Sequence, residues 1–237
     1  MPQEGLFAWF KSSELGETGN GGSKWVSTVG DFTAQPTSGT VQTVTSTGHG
    51  ASAPVRAVKG GTSSKYTFGK ILADKYTICS LTRYTGSNKL RILTGGRTNW
   101  LHGHHGNKAG VAHYDGWLGK VENRVTPIDD WVVLCGHSQA LFLRGKKVAT
   151  RSDQIAGNQA VVIHAGPNFR EKSDWAVAEV ITWDRALSDK EMEDASAYLQ
   201  KILDDGEIHA FVLLFELMRA ISRCWDLALT WHNDRTA

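Results

Sequence analysis

Between residues 99 and 117 the chain gathers side chains suited to holding a ligand. The run Asn99-Trp100-Leu101-His102-Gly103-His104-His105-Gly106-Asn107 is followed closely by His113, Tyr114, Asp115 and Trp117. Sugar recognition sets an aromatic ring against the C–H face of a pyranose while convergent polar groups fix the hydroxyls. Trp100, Tyr114 and Trp117 supply faces, and Asn99, Asn107 and Asp115 supply hydrogen bonds. The candidate ligand-binding set is Asn99, Trp100, His102, His104, Tyr114, Asp115 and Trp117. The competing reading makes Trp100 and Trp117 core residues and the polar neighbours turn formers. A metal is the third option. His102 and His104 alternate, so an extended backbone would project both to one face, and His113 could approach across a hairpin to complete a three-nitrogen zinc or copper site.

These residues need a scaffold, and the pattern around them predicts strands. Leu6–Phe10, Trp25–Phe32, Val55–Lys59, Tyr66–Phe68, Tyr76–Tyr84, Leu90–Leu93, Trp131–Cys135, Ala140–Leu143, Lys147–Thr150 and Ala160–Ala165 are short, β-rich and bounded by turn residues. Val41 and Val44 suggest an edge strand within the Ser/Thr-rich stretch 33–50, whereas 14–24 and 97–120 read as loops. YTICSLTRY, residues 76–84, suits a central strand. Ala176–Trp183 predicts a last strand, and Ser188-Asp189-Lys190-Glu191 a capping box that opens a helix. Leu187 and Met192 can staple its entry, and Ala195, Tyr198, Leu199 and Ile202 continue an apolar face.

The ending resembles the closing motif of the concanavalin A-like lectin/glucanase superfamily, in its laminin-G-like and pentraxin-like branch. Ala178-Glu179-Val180-Ile181-Thr182-Trp183-Asp184-Arg185-Ala186-Leu187-Ser188 is similar to that family's last strand. Glu191, Tyr198 and Leu199 stand where its helix expects them. Gly5-Leu6-Phe7-Ala8-Trp9-Phe10 resembles the opening strand. Trp131–Leu134 and Gln139–Val148 resemble the central hairpin, with Arg144-Gly145 where Asn-Gly is usual. The resemblance, over about residues 5 to 203, implies an all-β antiparallel sandwich of jelly-roll type with a short closing helix. It also implies lectin-like carbohydrate binding, an extracellular habit, and calcium as a ligand of loop oxygens. No calcium ligand is assigned, because Asp129, Asp130, Asp153, Asn158, Asn168 and Asp174 are scattered turn residues. Glucanase relatives carry paired carboxylates on one strand, in a pattern like E-[ILV]-D-[ILVAF]-x-E. No such string occurs, nor a G-x-S-x-G elbow or P-loop. The expectation is a non-catalytic module whose partner is a glycan or glycoprotein, with a structural or protein-interaction module as the alternative and a divergent glycosidase or lyase third.

At 237 residues, with 25 glycines and 5 prolines, the chain suits one such sandwich, assigned to 1–203. With 26 basic and 24 acidic side chains the net charge is +2, which gives no field for nucleic acid. Cys79, Cys135 and Cys224 leave two options open, one bridge between the first two or three buried thiols. Met1-Pro2-Gln3-Glu4 has neither the basic region nor the apolar core of a signal peptide, so the compartment stays open. Residues 204–237 read as an apolar helical tail. From Ile208 to Trp231 the charges Glu216, Arg219, Arg223 and Asp226 fall on one narrow stripe. Four charges within about 20 residues argue against a membrane span, leaving packing on the sandwich, self-association or a partner protein for 208–231, ahead of interfacial membrane contact.

Overall fold

The computed structural model describes residues 1–15 and 24–206. Fifteen strands in chain order are β1 Leu6–Phe10, β2 Trp25–Val26, β3 Thr33–Ser38, β4 Val41–Gly48, β5 Ala51–Gly60, β6 Lys65–Leu72, β7 Thr77–Tyr84, β8 Leu93–Gly95, β9 Trp100–His104, β10 Ala109–Tyr114, β11 Val132–His137, β12 Ala140–Leu143, β13 Lys146–Thr150, β14 Gln159–Ile163 and β15 Trp175–Trp183. They form two antiparallel sheets. The first runs β13-β12-β11-β7-β15-β5-β4, and the second β10-β9-β8-β14-β6-β3-β2. β15 shares one edge between two partners. β5 pairs with Trp175–Val177, and β1 takes over along Val180–Trp183.

Alternation explains why the sheets stack. Ile78 and Tyr84 of β7, Val132 and Leu134 of β11, and Trp175, Val177 and Val180 of β15 face a core shared with Tyr66, Phe68, Trp100 and Tyr114 of the second sheet. The outward residues of the first sheet are equally apolar. Cys79, Leu81, Val133, Cys135, Ala178, Ile181 and Trp183 form a second buried layer. Helix α1, Asp189–Asp205, covers it with Met192, Ala195, Leu199, Ile202 and Leu203. β7 is therefore buried at every position, with one face in the core between the sheets and the other under α1.

The helix entrance follows the capping box. Ser188 Oγ accepts from the Glu191 amide, and the Glu191 carboxylate accepts from the Ser188 amide at 2.8 Å. Arg185 grips the same carboxylate and, with Ser188, holds its pKa down at about 2. Replacing Ser188 by alanine should cost about 1 kcal/mol, measured by urea denaturation; no change would mean that packing alone holds the first turn. Glu179, 1% exposed, accepts from Trp9 Nε1 at 3.0 Å and from Tyr198 OH at 3.1 Å. One buried carboxylate thus ties the first strand, the last strand and the helix.

Several expectations need correction. Trp25–Phe32 holds only the two-residue β2. The 33–50 stretch supplies two strands, β3 and β4. Residues 97–120, expected as loops, contain the buried hairpin β9–β10. Its inward positions include two histidines, and polar residues there hide the hydrophobic alternation by which strands are recognised. Cys79 and Cys135 are cross-strand partners on β7 and β11 and form a disulfide. Arg144 and Gly145 both have positive φ, 49° and 76°, so the β12–β13 hairpin turns tightly without Asn-Gly. The assembly role expected for Ile208–Trp231, and residues 207–237 generally, lie outside the described residues. No described helix is long and apolar enough to cross a membrane.

Candidate functional site

The β9–β10 hairpin divides the predicted site residues between two faces. Trp100, His102, His104 and Tyr114 point into the sandwich and are all 0% exposed. Trp100 stacks on Tyr114 at 5.2 Å and donates from Nε1 to Tyr76 OH at 2.9 Å. His102 lies between Tyr114 OH, 2.6 Å from Nδ1, and Leu134 O, 3.2 Å from Nε2. Leu134 O can only accept, so the His102 proton sits on Nε2 and Tyr114 donates to Nδ1. Burial pushes the His102 and His104 pKa values down to about 3. These four side chains are beyond the reach of a surface glycan. Their order inside the core reflects packing and the need to satisfy buried polar atoms.

The three-histidine metal site does not assemble either. Ala112 is the cross-strand partner of His102, so His113 faces the opposite side of the sheet. Among the described residues no group of three or more His, Cys, Asp or Glu could hold a metal ion.

The outer face of the same hairpin carries an accessible cluster. After β10, Asp115 takes a positive φ of 48° and the chain doubles back, with Tyr114 N bonded to Gly116 O and Leu118 N to Ala112 O. Arg151 pins this turn by donating to Tyr114 O, Gly116 O and Ser138 O at 2.7–3.0 Å. Trp117 is thereby fixed at the surface, 37% exposed. Its ring lies 4.9 Å from His113, edge to face, and 5.4 Å from His105. His113 Nδ1 is 2.6 Å from Asn99 O.

The polar half of the cluster radiates from Asn99. Its Oδ1 accepts from Arg91 Nη1 at 2.8 Å and from Asn168 Nδ2 at 3.4 Å. Arg91 Nε pairs with Glu171, which also approaches His105 at 3.9 Å. Burial foremost holds the His105 pKa below its ordinary value, although Glu171 pulls the other way, so the ring is neutral at pH 7. Phe169, 46% exposed, adds a second aromatic beside Asn168. The predicted residues Asn99, Asp115 and Trp117 are thus accessible, and Asn99 and Trp117 belong to one cluster. Arg91, His105, Asn168 and Glu171 were not in the candidate set. Arg91 and Glu171 come from distant segments that meet only when 164–173 folds beside the hairpin, and sequence spacing carries no sign of that. A fixed aromatic face beside amide, guanidinium and carboxylate groups can stack on an apolar ring face and bond its polar rim.

No protein-family model matches the chain, and a search of curated proteins returns no match. Among solved structures it is similar to domain 4 of AbnA, an extracellular arabinanase from Geobacillus stearothermophilus, in complex with arabinotriose. That likeness has 12% identity and a TM-score of 0.55, over 81% of this chain and 98% of that one. The binding domain of botulinum neurotoxin DC, in complex with SialylT, is similar at 9% identity and a TM-score of 0.50, over 83% of this chain and 52% of that one. Trypanosoma rangeli sialidase matches at 12% identity and a TM-score of 0.47, over 86% of this chain and 34% of that one. The first two likenesses establish the fold, a β-sandwich shared with domains of an arabinanase and of a neurotoxin.

Proposed function

We propose that this domain is a non-catalytic, lectin-like module that binds glycans through the Trp117 cluster on the outer face of the β9–β10 hairpin. The observation that carries the reading is the exposed Trp117 ring. It is held edge-on by His113 on a turn that Arg151 locks, beside the Arg91–Asn99–Asn168 hydrogen bonds and Glu171. Such a platform is ordered before ligand arrives, so little entropy is lost on binding. The structures of two similar sandwiches with sugars support the choice of ligand class, and a shared fold alone does not fix it. We place the domain in the concanavalin A-like superfamily, laminin-G-like branch. Pairing of the GLFAWF strand with the closing strand, and the capping box after it, support that placement. The lack of an alternating paired-carboxylate string supports a binding role over hydrolysis.

A glycan array probed with the purified chain, with calcium and again with a chelator, tests the reading. Specific signal is expected, and its response to the chelator reports whether calcium takes part. Trp117→Ala should weaken binding at least about tenfold while the melting temperature holds, as for a central aromatic anchor. A folded protein silent under both conditions, or binding that ignores Trp117, would sink the proposal.

A further inference from the structure

A second concavity opens at the end of the sandwich, where β5 leaves the first sheet. It has a volume of about 420 Å³, within the range of small-ligand sites, and its walls include Gln42, Lys59, Gly61, Ser63, Thr85 and Asp174. Hydroxyls, an amide, one cation and one carboxylate make these walls polar without strong net charge. That chemistry matches a polyhydroxylated ligand better than an apolar or highly charged one.

Two details make this a poised surface. The Thr85 hydroxyl, at the wall of the cleft, is buried without a hydrogen-bond partner, and a χ1 rotation that turned it into the cleft would let a bound hydroxyl satisfy it. Asp174 Oδ2 accepts both the amide and the side-chain nitrogen of Asn88, at 3.1 and 2.9 Å. Its Oδ1 is directed toward Gly61, 3.5 Å from where a β-carbon there would stand. Neighbouring Gly60 lies flat on the Trp175 indole, where a β-carbon would come within 2.6 Å of the ring, so the floor of the cleft is fixed.

The cleft is also tied to the Trp117 cluster. Asp174 stands three residues from Glu171, so their α-carbons are at most about 10 Å apart. The link is held in place. Asp174 N bonds to Asn88 O, Leu90 N to Ser173 Oγ and Arg91 N to Glu171 O, which aligns 88–91 with 171–174. We propose that the cleft is a second subsite, taking a further sugar unit of the same oligosaccharide that Trp117 holds, so that the domain reads chain length. This inference rests on the glycan-binding reading above.

The test uses the full chain on arrays of oligosaccharides graded from one to about six units. Linked subsites add affinity only when the ligand spans both, with gains of about 10²–10⁴ at best. The wild-type protein should prefer the longer members at least about tenfold. Gly61 lies outside the left-handed region, and a β-carbon there would meet Asp174 Oδ1 only in ordinary van der Waals contact, so Gly61→Leu fills the cleft without backbone strain. That variant should keep the shortest ligands and lose the length preference, and Thr85→Val should reduce the preference as well. If Gly61→Leu, with unchanged melting temperature, keeps the wild-type preference, or if single sugars bind as tightly as longer chains, the second subsite is overturned while Trp117-dependent binding still stands. Absence of any Trp117-dependent binding would overturn both readings.

Discussion

Trp100→Ala should destabilise the domain by about 3–5 kcal/mol, the usual cost of removing a large aromatic from a closed core. The neighbouring Trp117→Ala should cost far less, because its ring is partly in water. Trp100 is wholly buried, stacks on Tyr114 and holds Tyr76 through its indole N–H. Its loss leaves a cavity between the sheets and strips the Tyr76 hydroxyl of its donor. Urea unfolding of the two variants reads the contrast directly. A Trp100→Ala protein as stable as wild type would mean that the ring does not lie in the core. The pair matters because the two tryptophans look alike in sequence, yet one organises the scaffold and the other is exposed at the surface.

Acid should unfold the domain through its buried histidines. In the folded state His102 and His104 titrate at about 3, held there chiefly by burial; in the unfolded chain they titrate near 6.5. Below about pH 6.5 the unfolded chain binds protons that the folded chain refuses, so stability rises with pH across the window from 3 to 6.5. For the pair, the loss between pH 8 and pH 5 amounts to about 4 kcal/mol. Denaturation curves at the two pH values measure it, and calorimetry in buffers of different ionisation enthalpy counts the protons taken up. His104 is the weaker-bonded of the two, with Thr82 Oγ1 3.5 Å from Nδ1 and no partner for Nε2. His104→Gln should therefore remove about half of the dependence. A stability that stays flat from pH 8 to 5 would contradict the buried, neutral state of both rings.

The scaffold was legible wherever burial and periodicity coincide. YTICSLTRY reads as a central strand from its β-branched and aromatic residues, and the closing strand, staple and capping box announce one another in sequence. The hairpin at 100–114 was illegible because its core positions are filled by histidines, whose burial depends on Tyr114 and on a carbonyl of β11. The site was half legible. Trp117 and Asn99 stood out by type and are exposed, whereas the expected approach of His113 to His102 and His104 fails because the hairpin register turns it to the other face. Arg91 and Glu171 could not be found, since their pairing depends on two loops meeting after the sheets have stacked. The disulfide was similarly undecided, because adjacency of β7 and β11 is a matter of topology and spacing does not report it.

The layer of α1 over one sheet gives the domain a back and a front. Met1 packs into that layer and Trp183 Nε1 donates to Pro2 O, while the helix ends at Gly206 beside Ala53 and Pro54. Met1 and Gly206, the ends of the described sandwich, therefore lie on the helix side, and Trp117 looks out from the opposite sheet. A tag or tether attached ahead of Met1 would thus meet the helix-covered sheet, away from the face that carries Trp117.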